Sequence, residues 1–347
     1  MRRVGTALDR RFLKHVSPEE HPECPQRLEV VQALLDRSRY ADAIQRLPGR
    51  AALLRDLLRI HTRAHIDRLA ETAGTRMPVF PDPDTYVTAD SWEAARYAAG
   101  STVAAVKAVL EDEIDTAFVF ARPPGHHAEA DRTSGFCLLN NIAIAAAHAV
   151  EDKGLERVLV LDWDLHHGNG TQRSFYSRRD VLYMSLHQHP HFPGTGAVTE
   201  TGSAEGKGFN VNVPLPAGRG DRDYLAVFRE VFLPIAKQYQ PELVLVSAGF
   251  DPYYLDPLGG MKVTAEGFGR MTRHLLDLAD ECCDGRIVFV LEGGYHLEGL
   301  RDSVRVVLDT MLEESDKGSV DPGEAPSPEG KAAIDKAKQI HGERWRL

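Results

Sequence analysis

Short runs of apolar residues alternate with longer stretches of mixed polarity along most of the chain. The strongest runs lie at 116–121, 158–161, 181–186, 243–247 and 287–291, with a weaker one at 210–213. Continuous apolar runs of this length are typical of parallel strands that are buried on both faces. Between the runs, apolar residues recur every three or four positions, which predicts helices. The alternation of strand and helix predicts an α/β fold: an open, mostly parallel sheet with helices on both faces.

The same periodicity predicts where the helices and loops begin and end. The predicted helices cover 28–38, 51–73, 90–113, 140–152, 224–239 and 264–282, with a last short helix at 331–340. Residues 1–20 are expected to be irregular, and 74–89, rich in Pro and Asp, to form a loop. From 313 to about 330 the chain is rich in Asp, Glu, Ser, Pro and Gly, which is typical of a solvated connector. We therefore expect a single domain over 1–314, followed by a polar connector and a short helix over 315–347.

Composition narrows the class of protein. Hydrophobic residues make up 43% and charged residues 27% of the 347 residues, as in ordinary globular proteins. A net charge of −10 argues against a nucleic acid or a membrane as the main partner. No apolar run approaches the ~18 residues that span a bilayer, and the first residues lack a secretory signal, so a cytoplasmic protein is expected. The four cysteines show no CxxC spacing, which favours reduced thiols.

Polar side chains come at or within a few residues of the carboxyl ends of four of the predicted strands. These groups are His126 and His127, then Asp162, Asp164 and His166, then Asp251, and finally Tyr295. Side chains two apart share a face of an extended chain, so the second group points one way if the strand geometry persists. Ligands of an open parallel sheet bind beyond the carboxyl ends of the strands. All four groups are therefore expected to meet in one crevice.

Asp164, His166 and Asp251 are the expected metal ligands. One imidazole and two carboxylates leave positions open for water and substrate, which is typical of a catalytic metal site. This donor set permits Zn²⁺, and Fe²⁺ or Mn²⁺ stay open as alternatives. Such an ion would acidify a water molecule and polarise a carbonyl group. His61 and His65 also have a chelating spacing, but without an HExxH pattern they are expected to make only local hydrogen bonds.

The histidine pair at 126–127 is a candidate for acid–base catalysis, because imidazole titrates near neutral pH. Asp162 and Asn169 are the expected partners of the two rings. A carboxylate keeps its imidazole charged, whereas an amide leaves the ring free to exchange a proton. We therefore predict that His127, paired with Asn169, is the acid/base and that His126, paired with Asp162, is an electrostatic support.

Tyr295 follows two glycines that allow the backbone to turn sharply. Its phenol could then donate a hydrogen bond to an oxyanion that forms at the metal. Phe136 and Phe192 lie in loops near the predicted crevice and are candidates for the walls of a narrow apolar channel.

The segments that carry these residues resemble the zinc-dependent histone deacetylase family. They are PGHHA at 124–128, GFC at 135–137, DWDLHHGNGTQ at 162–172, SAGFD at 247–251 and LEGGY at 291–295. The match extends to HPE at 21–23 and covers roughly residues 15–312. The resemblance implies the arginase/deacetylase-type α/β fold and hydrolysis of the amide of an acetylated lysine.

Carried over position by position, the resemblance also implies roles for single residues. It assigns zinc to Asp164, His166 and Asp251, the histidine pair to His126 and His127, and contact with the transition state to Tyr295. It assigns the substrate tunnel to Gly135, Phe136, Phe192 and Leu258. It assigns a structural potassium ion to Asp162, Asp164, His166, Ser185 and Leu186. Asn169, where many members have Asp, and Trp163 are similar to the class II branch and its bacterial relatives.

The implied substrate is an acetylated lysine in a peptide or protein. Polyamine-deacetylating relatives carry an acidic gatekeeper in the loop that is DPLGG at 256–260 here, and Leu258 at that position favours acyl-lysine. An acetylpolyamine or other small acetylated amine, and a longer acyl chain, stay open as alternatives. Asp82 or Asp84 is a candidate rim acid for the peptide backbone. A homo-oligomer is also left open.

Two further classes fit less well. A ureohydrolase of the arginase type requires two metals and further carboxylates, which the Asp-x-Asp-x-His order at 162–166 together with Tyr295 does not supply. A non-catalytic reader of acyl-lysine is expected to have lost a ligand, a histidine or the tyrosine, and this sequence keeps all of them.

Overall fold

Parallel strands form the central layer of the computed structural model, which describes residues 2–312 and 323–347. The strands of the described residues are β1 (Val4–Ala7), β2 (Ile44–Arg46), β3 (Val79–Asp82), β4 (Thr85–Val87), β5 (Thr116–Val119), β6 (Val158–Asp162), β7 (Val181–Gln188), β8 (Asn210–Leu215), β9 (Leu243–Ala248) and β10 (Ile287–Leu291). Eight of them form one sheet in the order β2-β1-β5-β10-β9-β6-β7-β8, with every neighbouring pair parallel. The predicted open, parallel sheet is confirmed.

Helices cover this sheet. The α-helices of the described residues are α1 (Gln26–Leu35), α2 (Ser38–Ala41), α3 (Leu54–Leu57), α4 (Arg63–Glu71), α5 (Ser91–Leu110), α6 (Asn141–Glu151), α7 (Asn169–Phe175), α8 (Asp221–Val227), α9 (Leu233–Tyr239), α10 (Ala265–Cys283), α11 (Leu297–Leu312) and α12 (Pro328–His341). Every residue of β5, β6, β7, β9 and β10 is buried, so both faces of the central strands are covered. None of the described helices has the length and hydropathy required to cross a membrane.

The strand order places the candidate residues at one edge. β5, β10, β9 and β6 are neighbours, and their carboxyl ends point the same way because all are parallel. The residues that follow these four strands therefore converge, as the sequence predicted.

Three expectations about local structure are wrong. Residues 51–73 form two short helices, because Thr62 accepts a hydrogen bond from the backbone N–H of His65 and starts α4 separately. Residues 1–20 contain the buried strand β1, whose four residues are too few for a clear apolar run. The expected loop at 74–89 contains the antiparallel hairpin of β3 and β4. The sequence pattern also missed β2, α7 and α11.

The C-terminal helix is part of the same body. Ser327 caps α12, which starts at Pro328, three residues before the predicted start. Trp345 donates from Nε1 to the carbonyl of Gly208, 2.9 Å away, next to β8. The expected domain boundary at 314 and much of the expected connector lie outside the described residues.

Candidate metal centre

The side chains of Asp164, His166 and Asp251 meet just beyond the ends of β6 and β9. The Nδ1 atom of His166 lies 3.2 Å from Oδ1 of Asp164 and 3.0 Å from Oδ2 of Asp251. One donor atom from each of the three residues lies within 4.8 Å of the others. Both carboxylates are buried, so this group could hold a metal ion.

The backbone around the group fixes the two carboxylates. Asp164 Oδ1 accepts from the N–H of His166 at 2.8 Å, and Asp164 Oδ2 accepts from the N–H of Gly293 at 2.9 Å. Asp251 Oδ1 accepts from the N–H of Leu165 at 2.9 Å. A Cβ atom at Gly249 or Gly293 would overlap a carboxylate oxygen of Asp164 or Asp251. Glycine at these two positions therefore makes room for the group.

The electrostatics favour a cation here. Burial and the neighbouring carboxylate of Asp164 raise the pKa of Asp251 to about 7. Two buried carboxylates this close repel each other unless a positive charge lies between them. One imidazole with two carboxylates is a donor set that suits Zn²⁺ and leaves coordination positions open. The residues present therefore fit a divalent transition metal.

His126 lies between three acidic residues. Its Nδ1 atom is 3.0 Å from Oδ2 of Asp162, which also accepts from the hydroxyl of Tyr183 at 3.0 Å. Its Nε2 atom is 3.8 Å from Oδ1 of Asp164. Burial alone would lower the pKa of His126, but Asp164, Asp162 and Glu292 together raise it to about 10. This ring is therefore held in its protonated form.

His127 has the opposite environment. Its Nδ1 atom lies 2.8 Å from Oδ1 of Asn169, while Nδ2 of Asn169 donates to Oε1 of Glu129 at 2.8 Å. Because that second bond fixes the amide, Oδ1 faces the ring and Nδ1 must carry the hydrogen. Burial and the neighbouring rings of His126 and His166 hold the pKa of His127 well below its usual value. Its Nε2 atom is therefore left unprotonated.

Tyr295 is set by a sharp turn and a buried carboxylate. Gly294 has a φ of 114°, which favours glycine, and Asp256 Oδ2 accepts from the backbone N–H of Tyr295 at 2.7 Å. The guanidinium of Arg27 lies 4.9 Å from the centre of the tyrosine ring and donates from Nε to the carbonyl of Gly294 at 2.7 Å. Burial raises the pKa of the Tyr295 phenol well above its usual value, so it stays a hydrogen-bond donor.

Aromatic rings flank the group on two sides. Phe136 packs edge-on against Tyr295 with ring centres 5.8 Å apart, and Phe192 packs edge-on against His127 at 5.1 Å. Gly135, with a φ of 51°, lies where a Cβ atom would overlap the ring of His127. The carbonyl of Leu258 accepts from Nε2 of His191 at 3.1 Å, and the His191 ring stacks on His166.

The remaining candidates of the sequence lie in different places. Ser185 is paired in register with Asp162, and Leu186 follows it on β7. Asp82 accepts from the hydroxyl of Thr133 at 3.1 Å, so it is tied to the loop that carries Phe136, whereas the backbone carbonyl of Asp84 faces His21.

His61 and His65 are bound to distant backbone, not to local partners. His61 donates to the carbonyl of Glu129 and accepts from the N–H of Asn140, each at 2.9 Å, and His65 contacts the carbonyl of Leu138. The expectation of local hydrogen bonds is wrong, because both rings support the loop that carries Phe136.

Sequence reasoning missed several supporting residues. Glu292 accepts from the backbone N–H groups of Gly125 and His126, at 2.7 and 3.1 Å, and burial raises its pKa to about 7. Asp256, Arg27 and Tyr183 were missed as well. Glu292 directly follows an apolar strand, as Asp162 does, and that position was a signal. The other three act through contacts across long sequence distances, for which the sequence offers no pattern.

The chain is similar to several known proteins. A family model described as the histone deacetylase domain matches residues 21–311. The probable deacetylase of Archaeoglobus fulgidus is 35% identical over 357 residues, which cover 99% of each chain. Histone deacetylase 5 of Arabidopsis thaliana is 38% identical over 331 residues, covering 90% of this chain and 49% of that protein. This chain thus spans about half the length of that relative.

A solved structure has the same fold. The crystal structure of the HDA15 HD domain matches with a TM-score of 0.93 and 37% sequence identity, covering 99% of this chain and 95% of the other. The family match spans most of the chain, and the Archaeoglobus fulgidus relative aligns over 99% of both proteins. This chain belongs to the histone deacetylase family.

Proposed function

We propose that this protein is a zinc-dependent amidohydrolase that removes acetyl groups from lysine side chains of peptides or proteins. The observation that carries the proposal is one crevice in which a metal-binding group, two differently tuned histidines and a protonated tyrosine converge. Membership of the histone deacetylase family supports the reaction class.

Asp164, His166 and Asp251 would hold the zinc ion. When bound, zinc supplies a Lewis acid that polarises the amide carbonyl and makes a water molecule more acidic. The chain's part is to keep the two carboxylates oriented through the backbone N–H groups of Leu165 and Gly293. Carboxylates fixed in this way accept the ion without reorganisation.

His127 is the proposed general base and acid. Its Nδ1–H is held by Asn169, so Nε2 is free to take the proton from the attacking water molecule. The carbon–nitrogen bond of the amide then breaks, and the same nitrogen returns the proton to the leaving amine. Acetate and the free lysine are the products.

His126 and Tyr295 stabilise charge. Asp162 accepts from Nδ1 of His126 and, with the other nearby acids, favours the protonated ring, whose positive charge would lie beside the reacting group. The phenol of Tyr295 would donate to the oxyanion on the side opposite the histidines. The carboxylate of Asp256 holds the backbone of Tyr295 and thereby positions the phenol.

The substrate class rests on the channel. Phe136 and Phe192 offer flat apolar walls that suit the methylene chain of an acyl-lysine. Leu258 offers no charge to attract a cationic polyamine.

A structural potassium ion is proposed beside the three zinc ligands. The side chains of Asp162 and Ser185 are neighbours there, and carbonyl groups of Asp164, His166 and Leu186 would add oxygen donors. The cytoplasmic location expected from the sequence stays a prediction.

The test is a turnover assay of the zinc-loaded protein on three substrates: an acetyl-lysine peptide, an acetylated polyamine and a lysine peptide with a longer acyl chain. We expect the acetyl-lysine peptide to be preferred, and its turnover to disappear after zinc is removed. In the variant Leu258→Glu, turnover of the polyamine should rise relative to the peptide. A wild-type protein that binds zinc and hydrolyses none of the three would overturn the proposal. Preference for the polyamine or for the longer acyl chain would overturn the substrate class only.

A further inference from the structure

A second group of metal-type side chains lies away from the catalytic crevice. Asp56 of α3, His148 in the last turn of α6 and Asp152 at the end of α6 form what we call the α3–α6 cluster. The Nδ1 atom of His148 lies 3.4 Å from Oδ1 of Asp56 and 3.1 Å from Oδ2 of Asp152. One donor atom from each of the three residues lies within 4.8 Å of the others.

The cluster has the donor set and the spacing of the catalytic group. In the catalytic group, Nδ1 of His166 lies 3.2 and 3.0 Å from its two carboxylate oxygens. Donor atoms around a tetrahedral ion with bonds near 2 Å are about 3.3 Å apart, which both groups approach. The two groups therefore present similar arrangements of donor atoms for a small divalent cation.

Buried atoms without a hydrogen bond provide an independent sign of a ligand. Within the described residues, Nδ1 and Nε2 of His148 and Oδ1 of Asp56 have no hydrogen-bond partner. The side chains are buried, with 9% of His148 and 4% of Asp56 exposed. Native proteins leave few such atoms, and several at one point call for an ion or a water molecule. The donor atoms Nδ1 of His148 and Oδ1 of Asp56 face this point.

Arg59 orients the cluster from one side. Its Nη2 atom lies 2.5 Å from Oδ1 of Asp152, which leaves Oδ2 of that carboxylate turned toward His148. Its Nε atom is 3.7 Å from Oδ1 of Asp56. Arg59 thus accounts for one oxygen of Asp152, but within the described residues neither Oδ1 of Asp56 nor the ring nitrogens of His148 have a hydrogen bond. The positive charge of Arg59 implies that a cation binds here more weakly than in the catalytic centre.

The surroundings allow a cation to enter. A surface groove of about 450 Å³ reaches the cluster, and its lining carries acidic side chains such as Glu111 together with basic ones such as Lys107 and Lys153. The carboxyl end of a helix attracts positive charge, and His148 and Asp152 lie at that end of α6. The other end of α6 is beside the His126 loop, where Asn141 donates to the carbonyl of Pro123. The 11 residues of α6 make a helix roughly 16 Å long, so the cluster and the His126 loop lie near its opposite ends.

We propose that Asp56, His148 and Asp152 form a second binding site for a divalent transition-metal cation, distinct from the catalytic centre. Imidazole nitrogen with two carboxylate oxygens suits Zn²⁺ or a cation of similar preference. Asp152 is partly exposed, so water molecules complete the coordination.

The experiment is a zinc titration of the metal-stripped full-length protein, with bound zinc per chain measured by atomic emission after gel filtration. Wild type is expected to bind two equivalents, the second at least about tenfold more weakly than the first. His148→Gln and Asp152→Asn should each bind one equivalent and keep deacetylase turnover. His341→Gln, which alters a buried histidine of α12, is the matched control and should bind two.

One equivalent in the wild type, with turnover intact, would overturn the second site and leave the proposed function standing. A second equivalent that persists in both cluster variants would overturn it as well, because the ion would then bind elsewhere. If His148→Gln does not fold, the zinc stoichiometry of Asp152→Asn, at the partly exposed edge of the cluster, decides whether the second site exists. Cobalt(II) gives a second readout: the visible absorption should grow through two equivalents in the wild type and stop at one in the variants.

Discussion

At the scale of single residues, two adjacent histidines acquire opposite properties from their partners. Burial disfavours the charged form of both rings, but Asp164, Asp162 and Glu292 raise the pKa of His126, whereas the neighbouring rings of His126 and His166 lower that of His127 further. The partners differ in the same sense, because Nδ1 of His126 faces a carboxylate of Asp162 and Nδ1 of His127 faces the amide oxygen of Asn169.

This division can be tested at Asn169. Asn169→Asp places a carboxylate against His127 and opposite Glu129, so the pKa of His127 should rise. A base with a raised pKa is protonated over more of the acid range, so the acid limb of kcat/KM should move up by about one pH unit. The measurement is a pH–rate profile of both proteins. An unmoved acid limb would show that another group sets it.

A second prediction at this scale concerns the phenol of Tyr295. Tyr295→Phe removes one hydrogen-bond donor and leaves the ring, so kcat should fall by about 10²–10³-fold. Zinc content and Tm should stay unchanged, and Tyr254→Phe, at an exposed tyrosine, serves as the control. Turnover close to the wild-type rate would exclude oxyanion stabilisation by Tyr295.

At the scale of elements, the loops beyond the strands are joined by buried polar side chains. Asp256 accepts from the backbone N–H of Leu258 through Oδ1 and from those of Tyr295 and His296 through Oδ2. His61 ties the loop after β5 to the start of α6. Short loops that carry function are held in this way because strands alone do not order them.

The hydrogen bonds of Asp256 to two loops lead to a prediction. Asp256→Asn has only one acceptor oxygen, so it cannot serve both Leu258 and Tyr295, and the phenol of Tyr295 should lose its position. We expect kcat to fall by about tenfold or more, while KM changes little. Steady-state kinetics measure kcat and KM separately. Asp302→Asn on α11 is the control. An effect on KM alone would assign Asp256 to the substrate channel instead.

The support given by His61 should depend on pH. Burial lowers the pKa of His61 to about 3, whereas the unfolded chain has its ordinary pKa near 6.5. At pH values between these two pKa values, the unfolded chain binds a proton at His61 and the folded protein does not. The free energy of unfolding therefore falls as the pH falls. At pH 5 the loss is about 2 kcal/mol for this residue.

Urea unfolding of wild type and His61→Gln at pH 7 and pH 5 measures this loss. The drop in the free energy of unfolding between the two pH values should be smaller in the variant by about 2 kcal/mol. Equal drops in both proteins would show that His61 titrates normally in the folded state.

At the scale of the whole molecule, the metal centre joins distant parts of the chain. Asp164 and Asp251 come from β6 and β9, and Asp164 accepts from Gly293 beyond β10. Without a cation, the buried carboxylates repel each other, as the raised pKa of Asp251 indicates. Occupation of the centre should therefore stabilise the fold as well as supply chemistry.

Removal of the metal tests whether an occupied metal centre stabilises the fold. Stripping with a chelator should lower Tm by roughly 5 °C, and added zinc should restore it. Calorimetry of stripped and reloaded protein is the measurement. In Asp251→Ala, which loses a ligand, zinc should no longer raise Tm by this amount. A Tm that does not respond to zinc in the wild type would contradict a stabilising role.

The sequence by itself determined the central strands and the identity of the chemical groups. Buried parallel strands require continuous apolar runs, and polar residues within a few positions of the end of such runs stand out against them, as Asp162, Asp251 and Tyr295 do. Those signals are local, so a single pass along the chain detects them. The short elements β1, β2 and α3 lack the length for such a signal, and tertiary pairing decides them.

Only the tertiary structure decided which groups face each other. Asp256 lies 39 residues from the tyrosine whose backbone it holds, and Arg27 lies 267 residues from the glycine carbonyl it binds. His61 has a spacing that suggests a local role, yet its partners come from a loop more than 60 residues away. Hydrogen bonds of this kind leave no periodicity in the sequence, because they depend on where the fold brings the backbone and not on the residues nearby.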